Sequence, residues 1–109
     1  MGAAEAKYDV FQAVAEPTRR KILKLLSKEE MPIAAITDNF PITRNAINKH
    51  LFVLSEAGLV SSRKAGRETR YRLEPEPLKE LQEWLSFFEV YWDNKLQNLK
   101  DYLESDGGK

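Results

Sequence analysis

The side chains best suited to recognise another molecule through hydrogen bonds lie in one segment, TRNAINKH, which spans residues 43–50. If this segment is a helix, its charged and amide side chains fall off the apolar stripe and share the exposed face: Arg44, Asn45, Asn48 and Lys49. In the major groove of DNA, arginine pairs with guanine, asparagine with adenine, and lysine with guanine or phosphate. The N-terminus of this helix, with Thr43 as its cap, offers N–H groups to a phosphate. These residue types therefore predict contacts with base edges and with the DNA backbone.

A second group of cations lies in the next stretch of the chain, where the hydrophobic period changes. The segments LVSSRK, AGRE and TRYRL predict a strand, a loop and a strand, with Gly66 in the loop. Side chains alternate from Thr69 to Leu73, so one face of this hairpin is basic. The cations that we expect to contact the DNA backbone from the hairpin are Arg63, Lys64, Arg67 and Arg70.

The distribution of charge agrees with these two segments, although the whole chain is neutral, with 17 basic and 17 acidic residues. Residues 41–73 carry seven basic and two acidic side chains, whereas residues 74–109 carry four basic and nine acidic ones. A basic middle suits a phosphate-binding surface. It is also typical of an ordinary solvated face, and charge alone does not decide between the two.

Prolines and a glycine mark the helices that would hold the polar segment in place. Pro32 is expected to open a short helix and Pro41 to end it, because a proline disfavours helical backbone in the residue before it. Thr43 and Gly58 bound the next helix, at about residues 43–57. Two short helices joined by so short a connection predict a helix-turn-helix.

Two further helices precede this pair. Apolar residues recur at helical spacing over residues 8–15, and Pro17 suits the first position of a second helix. The core stripe of that second helix is expected to be Ile22, Leu25 and Leu26. With the hairpin at about residues 59–73, the order becomes α-α-α-α-β-β-α. The sequence thus predicts a mainly α fold with a small β-hairpin, a winged helix-turn-helix, in a single domain over residues 1–109.

The last helix, at about residues 77–104, carries an apolar face that is wider than one small core covers. The residues that we expect at an interface with a partner helix are Leu81, Trp84, Leu85, Phe88, Trp92 and Leu99. A helix with so broad an aromatic face is typical of one that packs against another helix. Ordinary core packing is the alternative for part of this face.

The segments EPTRRKILKLL, TRNAINKHLFVLSEAGLV and RKAGRETRYRLEPEPL resemble the ArsR-type winged-helix repressors of bacteria, over about residues 8–104. The aromatic last helix and the RLEPEPL connection are similar to the SdpR-like branch, which does not sense metals. The resemblance implies a homodimer built from the first and last helices, which adds Tyr8 and Phe11 to the dimer interface. It also implies binding to double-stranded operator DNA, usually near the regulator's own gene.

The sequence departs from the metal-sensing branches of that family. Those branches carry a Cys-x-Cys-type element before the recognition helix, where this chain reads IAAITDNF, or Asp and His pairs on the last helix, which here has no histidine. The chain contains no cysteine. We therefore expect no metal site and no cofactor. Many relatives also carry Ser at the position of Asn48, so the bases read there do not follow from the resemblance.

His50, the single histidine, lies at the edge of the apolar stripe of its helix. It has no second candidate ligand nearby in the sequence, so a role in metal binding is not expected. The resemblance assigns it a contact with a DNA phosphate, whereas the plain alternative is packing at the helix edge. Both interpretations stay open.

These features predict a DNA-binding transcriptional regulator, and the resemblance implies that it is a homodimeric repressor. Its two recognition helices would enter successive major grooves about 34–36 Å apart on an inverted repeat. The alternative is a winged-helix module that docks a regulatory protein, since a fold does not fix a function.

Other classes are less compatible with the sequence. It offers no nucleophile–base pair, phosphate-binding glycine loop or paired carboxylates, so an enzyme is not expected. No apolar run approaches the roughly 18 residues of a membrane span, and we expect a cytoplasmic protein. Our hypothesis is that either a protein partner or a change in expression relieves repression.

Overall fold

A computed structural model describes residues 8–107. The elements of this part of the chain are α1 Val10–Ala13, α2 Pro17–Leu26, β1 Met31–Pro32, α3 Ile33–Thr37, α4 Arg44–Glu56, β2 Val60–Ala65, β3 Glu68–Leu73, α5 Leu78–Ser86 and α6 Glu89–Gly107. The chain divides into two compact units at the bond between Lys79 and Glu80. The fold class predicted from the sequence, mostly helical with a hairpin wing, is confirmed.

Side-chain caps set the starts of the helices in the first unit. Asp9 caps α1 reciprocally: its Oδ1 accepts from the Gln12 N–H at 2.8 Å, and Gln12 Oε1 accepts from the Asp9 N–H at 2.8 Å. Glu16 caps α2, and Pro17 occupies the first helical position, as predicted. Thr43 caps α4, also as predicted. Each cap satisfies a backbone N–H that has no acceptor within its own helix.

The first unit contains a three-stranded antiparallel sheet in the order β1-β3-β2. Strands β2 and β3 form the predicted hairpin around Gly66, whose φ of +67° suits a residue without a Cβ. Strand β1 was not predicted. It pairs Met31 with Tyr71 and Pro32 with Arg70, and two residues are too few to show the alternation that marks a strand.

The core of the first unit lies under α4. Its largest fully buried side chains come from α2, α3, α4 and the residue before β2: Ile22, Ile36, Ile47, Leu51, Leu54 and Leu59. In α2 the predicted stripe was partly wrong, because Leu23 is buried and Leu25 is only half-buried. Leu25 lies three residues after Ile22 and Leu23 lies three residues before Leu26, so each has a helical spacing to the stripe, and only packing against the other elements decides between them.

Two glycine and proline signals near α4 had different outcomes. The helix ends at Glu56, Ala57 is its C-cap, and Gly58 follows with a φ of +77°, so the predicted glycine stop is confirmed. By contrast, α3 ends at Thr37, before Pro41 is reached. The N–H groups of Asn39 and Phe40 donate to carbonyls three residues back, at 3.0 Å each, which closes the helix in a tight turn. The connection to α4 is therefore longer than predicted.

Two helices, α5 and α6, lie where the sequence predicted one, at about residues 77–104. The single long helix was wrong, because α5 ends at Ser86 and α6 begins at Glu89. Ser86 Oγ donates to the Gln82 carbonyl at 2.9 Å, a contact that bends helices. The Phe88 N–H then donates to the Leu85 carbonyl at 2.9 Å, three residues back. Phe88 also packs edge-on against Trp84 and Phe87, with ring centroids 5.2 and 5.0 Å apart.

The second unit exposes most of its large apolar side chains. More than half of each of the following is exposed: Trp84, Leu85, Phe87, Val90, Tyr91, Trp92, Leu96, Leu99, Tyr102 and Leu103. We call this set the aromatic face. None of the described helices is both long enough and apolar enough to cross a membrane.

Candidate nucleic-acid interface

Helix α4 displays the polar side chains that the sequence singled out. Its buried residues Ile47, Leu51 and Leu54 fix the helix on the core. The residues predicted to read bases all lie on its exposed side: Arg44, Asn45, Asn48 and Lys49. Thr43, which is also exposed, accepts from the Ala46 N–H at 3.1 Å. Its hydroxyl retains a hydrogen that can donate to a phosphate.

The hairpin carries two exposed cations near its turn, Lys64 and Arg67. Neither of them has an ion-pair partner among residues 8–107. Both were predicted from the sequence as backbone contacts. Their charges are not offset within the described chain, so they are available to a phosphate.

The other two predicted cations of the hairpin share an acidic neighbour. Glu30 Oε1 lies 2.7 Å from Nη2 of Arg63 and 3.5 Å from Nε of Arg70. Glu30 Oε1 and Arg70 Nε are buried, and neither has a partner at hydrogen-bonding angles in the described chain, so the contacts are ion pairs. One carboxylate therefore offsets one of two positive charges. Sequence reasoning missed Glu30, because it lies before β1 and far from the hairpin in the chain.

The fourth arginine of the hairpin, Arg72, is held at the base of the hairpin. Glu74 Oε2 accepts from Ser61 Oγ at 2.6 Å and from Arg72 Nε at 3.1 Å. The bond from Ser61, followed by the bond from Arg72, holds the pKa of Glu74 below its ordinary value of 4.5. Arg72 thus differs from the cations at the turn, because its charge is matched by a carboxylate at every pH where Glu74 is ionised.

An open groove of about 470 Å³ runs between α4 and the hairpin. Its walls come from β1, α3, α4, β3 and the turn of the hairpin: Pro32, Ile33, Ala34, Arg44, Asn48, Arg67, Glu68, Thr69 and Tyr71. The groove thus brings Arg44 and Asn48 of the recognition helix together with Arg67 of the hairpin. Thr69 and Tyr71, whose hydroxyls can bind phosphate oxygens, were not predicted as site residues. Their alternation with arginine pointed only to a strand.

His50 is half-buried and bonded to a residue that the sequence did not point to. Its Nδ1 lies 3.3 Å from Nη1 of Arg19. The same guanidinium donates from Nε to the Ala13 carbonyl at 2.8 Å and from Nη2 to the Gln12 carbonyl at 3.2 Å. Arg19 therefore joins the end of α1 to the recognition helix. The structure shows a polar contact for His50, and it leaves the proposed phosphate contact as a prediction.

Glu16 lies beside this cluster. Burial raises the pKa of the Glu16 carboxyl. Hydrogen bonds from the N–H groups of Arg19 and Thr18, together with the nearby His50 and Arg19 side chains, lower this pKa by a larger amount. The net result is a pKa below the ordinary 4.5. The carboxylate stays ionised as the cap of α2 at neutral pH.

A second hollow, of about 400 Å³, adjoins α4. Its lining combines polar residues of the helix with apolar and aromatic ones: Tyr8, Asn45, Asn48, Lys49, Phe52 and Val53. Phe52 is 56% exposed although it is apolar, and sequence reasoning missed it. Apolar side chains at such a position can contact the methyl group of thymine. Tyr8, predicted at the dimer interface, lies here beside the recognition helix.

The remaining residues predicted at a dimer interface differ in exposure. Trp84, Leu85, Trp92 and Leu99 belong to the aromatic face, whereas Phe11, Leu81 and Phe88 are half-buried. Among residues 8–107, no group of three or more His, Cys, Asp or Glu side chains is placed to hold a metal ion.

A helix-turn-helix with an exposed polar recognition helix and a basic hairpin beside it is the architecture of winged-helix DNA-binding proteins. Comparison with known proteins agrees with this class. The family described as a helix-turn-helix domain matches residues 14–63. The chain is 35% identical to the transcriptional repressor SdpR of Bacillus subtilis, over 81% of this chain and 98% of that protein. It is 33% identical to the regulator Rv2034 of Mycobacterium tuberculosis, over 89% and 88%.

Solved structures narrow the class. An ArsR-like regulator from Rhodococcus sp. RHA1 is 36% identical and covers 88% of both chains with a TM-score of 0.70. A possible transcriptional regulator for arsenical resistance is 41% identical, covers 79% of this chain and 91% of its own, and has a TM-score of 0.68. This chain belongs to the ArsR family of helix-turn-helix transcriptional regulators. The family predicted from the sequence is confirmed, and so is a DNA-binding rather than an enzymatic class.

Proposed function

We propose that this protein is a cytoplasmic repressor that binds an inverted-repeat operator as a homodimer. The observation that carries the proposal is the groove that Arg44 and Asn48 share with Arg67. A helix of about 10–12 Å diameter fits the major groove of DNA. With α4 in the major groove of DNA, Arg67 of the hairpin lies beside that major groove and faces the adjacent DNA backbone.

The side chains of this surface have two roles, reading of base edges and contact with phosphates. Arg44 is the candidate for a bidentate pair with guanine, and Asn45 and Asn48 are the candidates for adenine. Lys64 and Arg67 provide charge to phosphates without reading sequence. At the DNA backbone, the hydroxyl of Thr43 and the N–H groups of the α4 N-terminus offer hydrogen bonds to a phosphate. Specificity thus comes from α4, and much of the affinity comes from the hairpin.

The double variant Arg44→Ala with Asn48→Ala tests this assignment. We expect it to lose preference for the operator over a scrambled duplex, because the groove keeps its shape but loses two of its base-reading groups. Lys24→Ala is the control, since it removes an exposed cation of α2 that lines no part of the groove. Full discrimination by the double variant, measured by fluorescence anisotropy, would contradict the proposed reading helix.

The homodimer is supported by the aromatic face. Its exposed side chains are too numerous for a surface in contact with water alone, and a second copy of the same face is self-complementary. Leu99→Asp is expected to shift the protein from dimer to monomer in sedimentation velocity. Asn98→Asp adds the same charge at the neighbouring exposed position and is expected to leave the dimer intact. If both variants sediment like the unmodified protein, the interface lies elsewhere.

We further propose that a protein partner relieves repression. A partner that competes for the aromatic face would separate the protomers and lower the affinity for a two-part operator. Release of the purified protein from DNA by a metal ion or a small molecule would overturn this part of the proposal.

A further inference from the structure

Arg19 makes more contacts between elements than any other charged side chain that the structure describes. It lies on α2, but its guanidinium bonds the Gln12 and Ala13 carbonyls at the end of α1 and reaches His50 on α4. Among residues 8–107, the side chain of neighbouring Arg20 bonds only the Val14 carbonyl, at 2.7 Å. Arg19 therefore links α1 to the recognition helix, and Arg20 does not.

The contact with Arg19 defines which nitrogen of the neutral histidine ring carries the hydrogen. A guanidinium has only donors, so the Nδ1 of His50 must accept. An imidazole that accepts at Nδ1 is neutral and carries its hydrogen on Nε2. In the described part of the chain, His50 has no other hydrogen bond, so Nε2–H is left without an acceptor.

We propose that Arg19 is a positioning residue, which orients His50 so that its Nε2–H donates to a DNA phosphate beside the recognition helix. The inference rests on the proposed function. His50 follows Lys49 on α4 and sits on the edge of the exposed face, where a backbone contact is expected when the helix lies in the groove. In the neutral tautomer that accepts from Arg19, this donor adds a hydrogen bond but releases no counterion.

The first test observes the imidazole ring of His50 in the absence of DNA. His50 is the single histidine of the chain, so its ring signals in an NMR spectrum are unambiguous. We expect Arg19→Ala to move these signals and Arg20→Ala to leave them unchanged. If the ring signals of Arg19→Ala match those of the unmodified protein, Arg19 does not hold the ring, and the inference fails whatever the DNA data show.

The second test is a double-mutant cycle on operator affinity. Arg19→Ala and His50→Ala are each expected to weaken binding about tenfold, and the two together by no more than either alone, because they act through one hydrogen bond. The salt dependence of binding should stay unchanged in His50→Ala. If the effects multiply to about a hundredfold, Arg19 acts only through general stability, and the positioning role is wrong.

Two conservative variants keep the test independent of folding. His50→Gln places an amide donor near the position of Nε2 and is expected to retain most of the affinity, whereas His50→Asn places it near Nδ1 and is expected to lose it. Equal loss in both would contradict the assigned donor. If the unmodified protein itself binds operator and scrambled duplexes equally, the proposed function fails, while the ring signals still report on Arg19.

Discussion

The ion pairs of Glu30 lead to a prediction about DNA binding. The prediction separates the effect of one carboxylate on two hairpin arginines from the effect of the total charge of the protein. Glu30 contacts Arg63 and Arg70 of the hairpin, and its single negative charge offsets one of their two positive charges. Glu30→Gln keeps the shape of the side chain and removes that charge. We therefore expect one additional positive charge per protomer to become available to the DNA backbone.

The magnitude follows from counterion release. In the unmodified protein, Arg44, Lys49, Lys64 and Arg67 are the exposed cations of α4 and the hairpin turn, which makes about eight phosphate contacts for a dimer and a log–log salt slope of about −7. Two further charges per dimer should steepen the slope of the Glu30→Gln variant to about −9. The cost in folding stability should be about 1–3 kcal/mol, because the variant removes the charged partner of the buried Arg70 Nε, whereas the mostly exposed Arg63 contributes little.

The assay is an anisotropy titration of operator DNA over a salt series. Glu29→Gln is the matched control, since Glu29 is exposed, adjoins Glu30 and makes no ion pair in the described chain. Its slope should stay near that of the unmodified protein. An unchanged slope in Glu30→Gln would show that Arg63 and Arg70 do not meet phosphates, and weaker binding would show that Glu30 orients the hairpin for DNA.

Three further outcomes follow from the structure. Arg67→Ala should make the salt slope of the dimer shallower by about 2. Arg72→Ala should not change the slope, because Glu74 already matches the charge of Arg72. Equal effects of the two variants would show that the turn and the base of the hairpin do not differ in their contact with DNA. The pKa of Glu16 is lowered, so its contribution to stability is present above pH 4.5 and is lost as the pH falls through the folded value. A plot of Tm against pH should therefore flatten on the acid side in Glu16→Gln, and an identical curve would contradict the capping role. Ile47→Ala, at a fully buried position of α4, should lower the free energy of unfolding by about 2–5 kcal/mol in urea titrations, and a loss below about 1 kcal/mol would show that the core tolerates the cavity.

The elements with local chemical signals were predictable from the sequence. Thr43 and Gly58 bound α4 through a cap and a left-handed backbone conformation, and both properties belong to the residues themselves. The hairpin follows from alternation around Gly66 in the same way. Base-reading candidates were found on α4 because their side chains fall opposite a clear apolar stripe.

Features that depend on contacts between distant segments were not predictable in this way. Strand β1 exists because Met31 and Pro32 meet β3, and two residues carry no periodic signal. Glu30 and Arg19 each act on residues more than 30 positions away, so neither forms a motif. The break after α5 arises from Ser86, whose hydroxyl bonds to a carbonyl of its own helix, while the apolar pattern continues through it. Composition and spacing predict which face of a helix or strand is apolar and which is polar. Packing between distant segments decides which of these faces contact each other.

The central claim is that α4 and the hairpin bind a specific DNA sequence. The most direct measurement is an anisotropy titration of the purified protein with DNA from upstream of its own gene and with a scrambled duplex of equal length, across a salt series. We predict preferential binding to the upstream DNA with a slope of about −7 for a dimer. Equal and weak binding to both duplexes, or a slope near zero, would contradict the claim.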